Sequence, residues 1–145
     1  MARPDDAKYA ETHEWVRATK GEATIGITDY AVHQLSDLVH IELPKVGDSV
    51  EQGSPFGEIE SVKTVADLVS PVTGKIVAVN DKLADKLDVL HDAPFGDGWM
   101  IRVKVSDAAE LDSLMDAKAY QEFIESSEKE AGGKTDEEVD DDDFV

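Results

Sequence analysis

Between Gly57 and Asn80 the chain reads GEIESVKTVADLVSPVTGKIVAVN, and this stretch demands β structure. Ile59, Val62, Val65, Leu68 and Val69 supply β-branched and aliphatic side chains. Ile76, Val77 and Val79 do so again after the turn-forming run Pro71-Val72-Thr73-Gly74. The polar break Ser61-Val62-Lys63-Thr64, set between two apolar arms, predicts a tight hairpin. Lys63 is the only basic residue between Lys45 and Lys75, with carboxylates at Glu58, Glu60 and Asp67 close in sequence. On this pattern alone, a long flexible amine at a hairpin tip is either a solvated turn lysine or a functional one, and most turn lysines are the former.

The flanking sequence predicts more short strands. Glu14–Arg17 and Glu22–Ile27 form a pair around the Lys20-Gly21 turn, Val39–Leu43 alternates apolar and polar, and Trp99–Val105 follows a Gly/Pro turn. Trp99 reads as core packing. Thr28 or Asp29 can cap a helix over about 29–36, where Tyr30, Ala31, Leu35 and Leu38 recur at helical spacing. Asn80 to Asp92 is polar with spaced leucines and reads as a loop packed down by them. Asp107 with Glu110 fits a capping box, and Leu111, Leu114, Met115, Ala119, Phe123 and Ile124 give the helical end one apolar face, with a break expected at 116–118. Many short strands with Gly and Pro between them suggest a small sandwich or barrel. The chain therefore divides into a mobile arm over 1–7, a domain over 8–130 and an acidic tail over 131–145. Within the domain, a β core spans about 22–105 and a helical segment about 107–130. The tail has almost nothing to bury and is expected to be disordered.

Charge narrows the function classes. Residues 1–106 hold 18 acids against 11 bases, and residues 107–145 hold 15 against 3, within a net charge of −19. Such a surface opposes binding to nucleic-acid phosphates and favours steering toward basic partners. The absence of Cys means that any dithiol chemistry must come from an attached group. The scattered histidines match no metal-ligand spacing. No apolar run approaches the roughly 20 residues of a membrane span, and the first residues resemble neither a signal nor a transit peptide. A monomeric cytoplasmic protein of a prokaryote is the expectation.

Several motifs, in one order, resemble the glycine cleavage system H protein family. Glu60-Ser61-Val62-Lys63, followed by Ser70-Pro71-Val72-Thr73-Gly74, is similar to its lipoate attachment site. Tyr9, Thr12-His13-Glu14-Trp15-Val16, Gly26-Ile27-Thr28, Leu43-Pro44, Val46-Gly47 and Gly98-Trp99 also stand where H proteins carry similar residues. Biotin carriers differ, usually having Met on both sides of the lysine where this chain has Val62 and Thr64. Lipoyl domains of 2-oxo acid dehydrogenases lack the His-Glu-Trp segment.

The resemblance implies a mainly β, barrel-sandwich hybrid fold with a short helix in the N-terminal half and helices at the C-terminal end. It implies lipoate on Lys63, with Glu60, Ser61 and Val62 as the motif around it and Glu60 read by a lipoate-attaching enzyme. The chain would be a non-catalytic carrier. It would take methylamine from a pyridoxal-phosphate glycine decarboxylase and pass the one-carbon unit to a tetrahydrofolate-dependent aminomethyltransferase. A dihydrolipoyl dehydrogenase would then reoxidise it. Glu14 and Asp67 match acids of the cleft in which the loaded arm rests, and Gln34 stands where some H proteins have a cleft histidine. His13 and Glu14, adjacent in a strand, would point to opposite faces and form no catalytic pair. Two alternatives remain open on sequence alone: a protein that relays lipoate to other complexes, and a cofactor-free β module that binds a protein partner.

Overall fold

The computed structural model describes residues 4–132, and the acidic stretch 133–145 lies outside them. Among the described residues, nine antiparallel strands form two sheets. Strands β1 (Lys8–Tyr9), β2 (Glu14–Thr19), β3 (Glu22–Ile27), β5 (Ser49–Val50), β8 (Gly74–Val79) and β9 (Ile101–Val105) make a six-stranded sheet in the order β1-β2-β3-β9-β8-β5. Strands β4 (Leu38–Glu42), β6 (Pro55–Ser61) and β7 (Val65–Val69) make a three-stranded sheet in the order β4-β6-β7.

Alternation along the strands builds the core between the sheets. Val16, Ala23, Ile25, Ile27, Ile76 and Val103 from the larger sheet meet Ile41, Phe56, Ile59 and Leu68 from the smaller one. The opposite face of β1–β2 is also covered. Tyr9 and Trp15 pack with Phe95, Tyr120 and Ile124 in a second apolar cluster. Trp15 needs a glycine beside it: a Cβ on its cross-strand partner Gly26 would meet the indole at 2.8 Å.

Helix α1 (Asp29–Leu35) starts as its sequence suggests, with the Thr28 hydroxyl accepting from Ala31 N at 3.2 Å. The segment 80–92, expected as a loop, instead contains a 3-10 turn (Asp81–Ala84) and helix α2 (Asp88–Asp92). Burial of Leu83 and Leu90 pulls each single turn into register, and one turn is too short to show a helical period. The last strand begins at Ile101 rather than Trp99, which is half-buried with the Arg102 guanidinium 5.1 Å above its ring. Asp107 does cap its segment, accepting from Ala109 N, but Glu110 does not complete the box. Its carboxylate accepts instead from Thr73 N and the Thr73 hydroxyl, both at 2.7 Å.

The helical end is broken, at 114–116 rather than at the expected 116–118. A 3-10 segment (Ala108–Ser113) is followed by a β-bridge between Met115 and Tyr9, and Asp116 then caps helix α3 (Ala117–Gly132). Of the N-terminal arm expected to be mobile, residues 4–7 are in contact with the body. Ala7 is buried, Asp6 pairs with Arg17 at 3.1 Å, and the Tyr9 hydroxyl donates to the Pro4 carbonyl.

Candidate functional site

The β6–β7 hairpin turns through Val62, Lys63 and Thr64. Ser61, buried at the end of β6, fastens the turn. Its hydroxyl accepts from Lys63 N (3.1 Å) and Thr64 N (3.2 Å), while Ser61 N donates to the Thr64 carbonyl (2.8 Å). A further bond ties the tip to the body, from Val62 N to the Asp37 carbonyl just after α1 (2.9 Å). Lys63 is exposed, and among the described residues its amine has no carboxylate within ion-pair distance.

The surface around the tip is apolar and acidic. Val39, Val62 and Val65 are 50%, 64% and 55% exposed. Behind them, Glu42, Glu58 and Asp67 stand directly opposite one another across β4, β6 and β7, and Glu60 lies between His40 and Val65 in the next row. Like charges in direct cross-strand positions repel, so this row is held at a cost in stability.

Glu14 is 1% exposed, and its two oxygens are engaged: one by the Thr12 hydroxyl, the other by Val69 N at 3.1 Å. The second bond joins β2 to β7, two residues beyond Asp67. Burial lifts its carboxyl from 4.5 to about 7, against the opposing pull of those two donors. Asp67 and Gln34 are exposed, and among the described residues neither is hydrogen-bonded to Glu14. A cleft of about 520 Å³ between α1 and α2 is lined by Asp29, Tyr30, His33, Asp37, Leu90 and His91, and contains none of the three. His13 and Glu14 do diverge: the imidazole turns toward Tyr120 of α3 and the carboxyl toward β7.

One buried polar cluster escaped sequence reasoning. Thr28 and Tyr120 are fully buried and joined hydroxyl to hydroxyl at 2.7 Å, and His13 Nδ1 lies 2.8 Å from the same Tyr120 hydroxyl. A tyrosine on the apolar face of α3 was the one visible signal, and it reads as core until its hydroxyl is placed. Among the described residues, no group of three or more His, Cys, Asp or Glu side chains is arranged to hold a metal.

A small antiparallel β body that presents one unpaired lysine on a clamped hairpin tip has the architecture of a carrier domain. Comparison with known proteins makes the assignment specific. Residues 7–127 match the sequence family described as Glycine cleavage H-protein. A glycine cleavage system H protein from Marinobacter nauticus is 48% identical over 126 residues, covering 86% of this chain and 97% of that protein. One from Brevibacillus brevis is 48% identical over 124 residues, covering 86% and 98%. The crystal structure of a glycine cleavage system H protein from Mycobacterium marinum superposes with a TM-score of 0.77 at 35% identity, over 87% of this chain and 99% of that one. The chain belongs to the glycine cleavage H-protein family.

Proposed function

We propose that this chain is the lipoyl carrier of a glycine cleavage system, with lipoate in amide linkage to Lys63. The observation that supports this most is the tip itself: an exposed, unpaired amine on a turn whose backbone is fixed by Ser61 and by the Asp37 carbonyl. An amine held in an ion pair would have to be freed before acylation, and among the described residues none holds this one. When bound, lipoate supplies the dithiol/disulfide chemistry that a chain without Cys lacks.

What the chain's own residues contribute is placement. Glu60, Ser61 and Val62 shape the approach to the amine for the lipoate-attaching enzyme. The exposed valines and the Glu42–Glu58–Asp67 row form the surface on which basic partner enzymes dock in turn: glycine decarboxylase, aminomethyltransferase and dihydrolipoyl dehydrogenase. The chain itself catalyses none of their steps. From the family resemblance we infer that Glu14, Asp67 and Gln34 contribute to the groove that shelters the aminomethyl cargo, although the cleft between α1 and α2 contains none of them. Asp67 offers charge at the surface. Glu14 is buried with its carboxyl raised to about 7, and an approaching ammonium favours its ionised form. Gln34 adds an uncharged hydrogen bond.

The test is peptide mapping by mass spectrometry after incubation with a lipoate-attaching enzyme, followed by glycine decarboxylation reconstituted with the three partners. Lys63 alone should be modified, and Lys63→Arg should keep the fold while losing all turnover. Lipoate on Lys45 or Lys75 overturns the assignment, and modification without reconstituted turnover overturns the glycine-cleavage role.

A further inference from the structure

Glu14 is aimed between the sheets by an unusual neighbour. His13 has φ +76°, a left-handed backbone conformation that a residue with a side chain adopts only when its surroundings enforce it. Three contacts do so. His13 N donates to the Ala10 carbonyl (2.9 Å), its carbonyl accepts from Thr28 N (3.0 Å), and its Nδ1 meets the Tyr120 hydroxyl (2.8 Å). The first two are local to β2 and β3. The third comes from α3, 107 residues away in sequence.

The same Tyr120 hydroxyl meets the Thr28 hydroxyl, which caps the start of α1. One buried oxygen on the C-terminal helix thus touches both the residue that aims Glu14 and the residue that starts the helix bearing Gln34. The Tyr120 ring is held in turn by stacking on Tyr9, with centroids 4.9 Å apart and planes 11° apart. Because the ring is clamped, the position of its hydroxyl is fixed to within the packing of the second apolar cluster.

We propose that Tyr120 is a positioning residue: through His13 and Thr28 its hydroxyl sets the placement of Glu14 against Val69 and of α1 beside it, so that α3 is part of the apparatus that shelters the cargo. Its meaning for the cargo rests on the reading of Glu14, Asp67 and Gln34 as the sheltering groove. The placement of Glu14 does not, and is tested separately. A tyrosine that served only to fill the apolar cluster would act through its ring, and loss of the hydroxyl would leave Glu14 where it is.

The experiment compares Tyr120→Phe with Tyr9→Phe in the full chain. Tyr9→Phe removes the other hydroxyl of the same stacked pair, the one bonded to the Pro4 carbonyl. The first readout needs no lipoate. The amide resonance of Val69, which donates to Glu14, is followed against pH by NMR. Tyr120→Phe should lower the midpoint by about half a unit toward the ordinary carboxylate range, as Glu14 slackens toward water. Tyr9→Phe should leave it in place. Thr28→Val should reproduce the shift and Thr28→Ser should not. The second readout is cargo loss from loaded protein, faster by about five-fold in Tyr120→Phe, the equivalent of one lost hydrogen bond.

A Val69 midpoint unchanged in Tyr120→Phe overturns the proposal, as does an equal shift in Tyr9→Phe. A shifted midpoint with unchanged cargo loss upholds the placement of Glu14 by Tyr120 and overturns the sheltering groove.

Discussion

Replacing Glu14 by Gln isolates the cost of its charge. The folded chain keeps the Glu14 proton up to about 7, whereas the ordinary value is 4.5. Between those values the folded state holds a proton that the unfolded state has released. Stability therefore falls as pH rises through that window, and the loss is complete above it. The difference of about 2.5 units, at about 1.36 kcal/mol each, corresponds to about 3 kcal/mol. Gln is close to Glu in shape, can accept from Val69 N through its amide oxygen, and cannot ionise. Urea unfolding of both proteins from pH ~4.5 to ~8.5, at unchanged m, gives the difference directly, because every other titrating group is common to both and cancels. The variant should start level with or slightly below the parent at the acid end. It should gain steadily through the window and lead by up to about 3 kcal/mol at the alkaline end. A difference that stays flat to within about 0.5 kcal/mol would mean that Glu14 titrates like a surface carboxyl, and the argument from burial would be wrong.

Other perturbations follow from the same contacts. Ser61→Ala removes the acceptor for Lys63 N and Thr64 N and should lower stability by about 1–2 kcal/mol while slowing lipoyl transfer to Lys63, read by thermal melting and by mass spectrometry against time. Gly74→Ala should cost more than about 2 kcal/mol in urea unfolding, because a Cβ there would run into the Lys104 carbonyl and come within 2.6 Å of the Val103 side chain, forcing β8 and β9 apart. Glu110→Ala should cost about 1–2 kcal/mol. A double-mutant cycle should couple it to Thr73→Val and not to Asp107→Ala, the opposite of what a capping box requires.

The longer strands and α1 were legible because each is long enough to show its period, whereas β1 and β5, two residues each, were not. Glu22–Ile27 is found at its expected bounds, and α1 ends at Leu35, within one residue of expectation. The hairpin was legible for a different reason: four residues between apolar arms leave the chain few ways to turn. What failed was either too short or too distant. The two turns of 81–92 are each little more than one period, so only the burial of Leu83 and Leu90 reveals them. Glu110 had the right spacing for a cap, yet Thr73 lies 37 residues away and offers two donors at once. A local rule cannot anticipate a better partner supplied by the fold. The same holds for the candidate groove. Glu14 could be named from its motif, but its burial, its bond to β7 and its raised pKa depend on sheet order, which is a long-range property. Tyr120 could not be named at all, since nothing local marks one aromatic of an apolar face as the one with a polar task.

The hairpin tip separates two requirements that a swinging arm places on its base. The attachment point must be fixed, or each partner enzyme would have to find it anew. The side chain must be free, or each transfer would begin by breaking a contact. Fixing is done at the backbone. Ser61 closes the turn, and the Asp37 carbonyl receives Val62 N. Bringing that carbonyl into place has a cost, because Ser36, the residue before it, sits at φ +65°, a conformation worth roughly 1–3 kcal/mol of strain in a non-glycine residue. Ser36 N bonds back to Val32 and the Asp37 carbonyl bonds forward to Val62, so the strained residue is held from both sides. Freedom is left to the side chain. An ion pair at Lys63 would order a lysine whose rotamer entropy is worth up to about 2 kcal/mol, in return for the small gain of an exposed pair. Glu58, Glu60 and Asp67 lie in the two strands of the hairpin, and among the described residues none pairs with Lys63. The strain at Ser36 and the unpaired amine at Lys63 are thus two parts of one arrangement, in which order ends at the Cα of Lys63 and the arm begins.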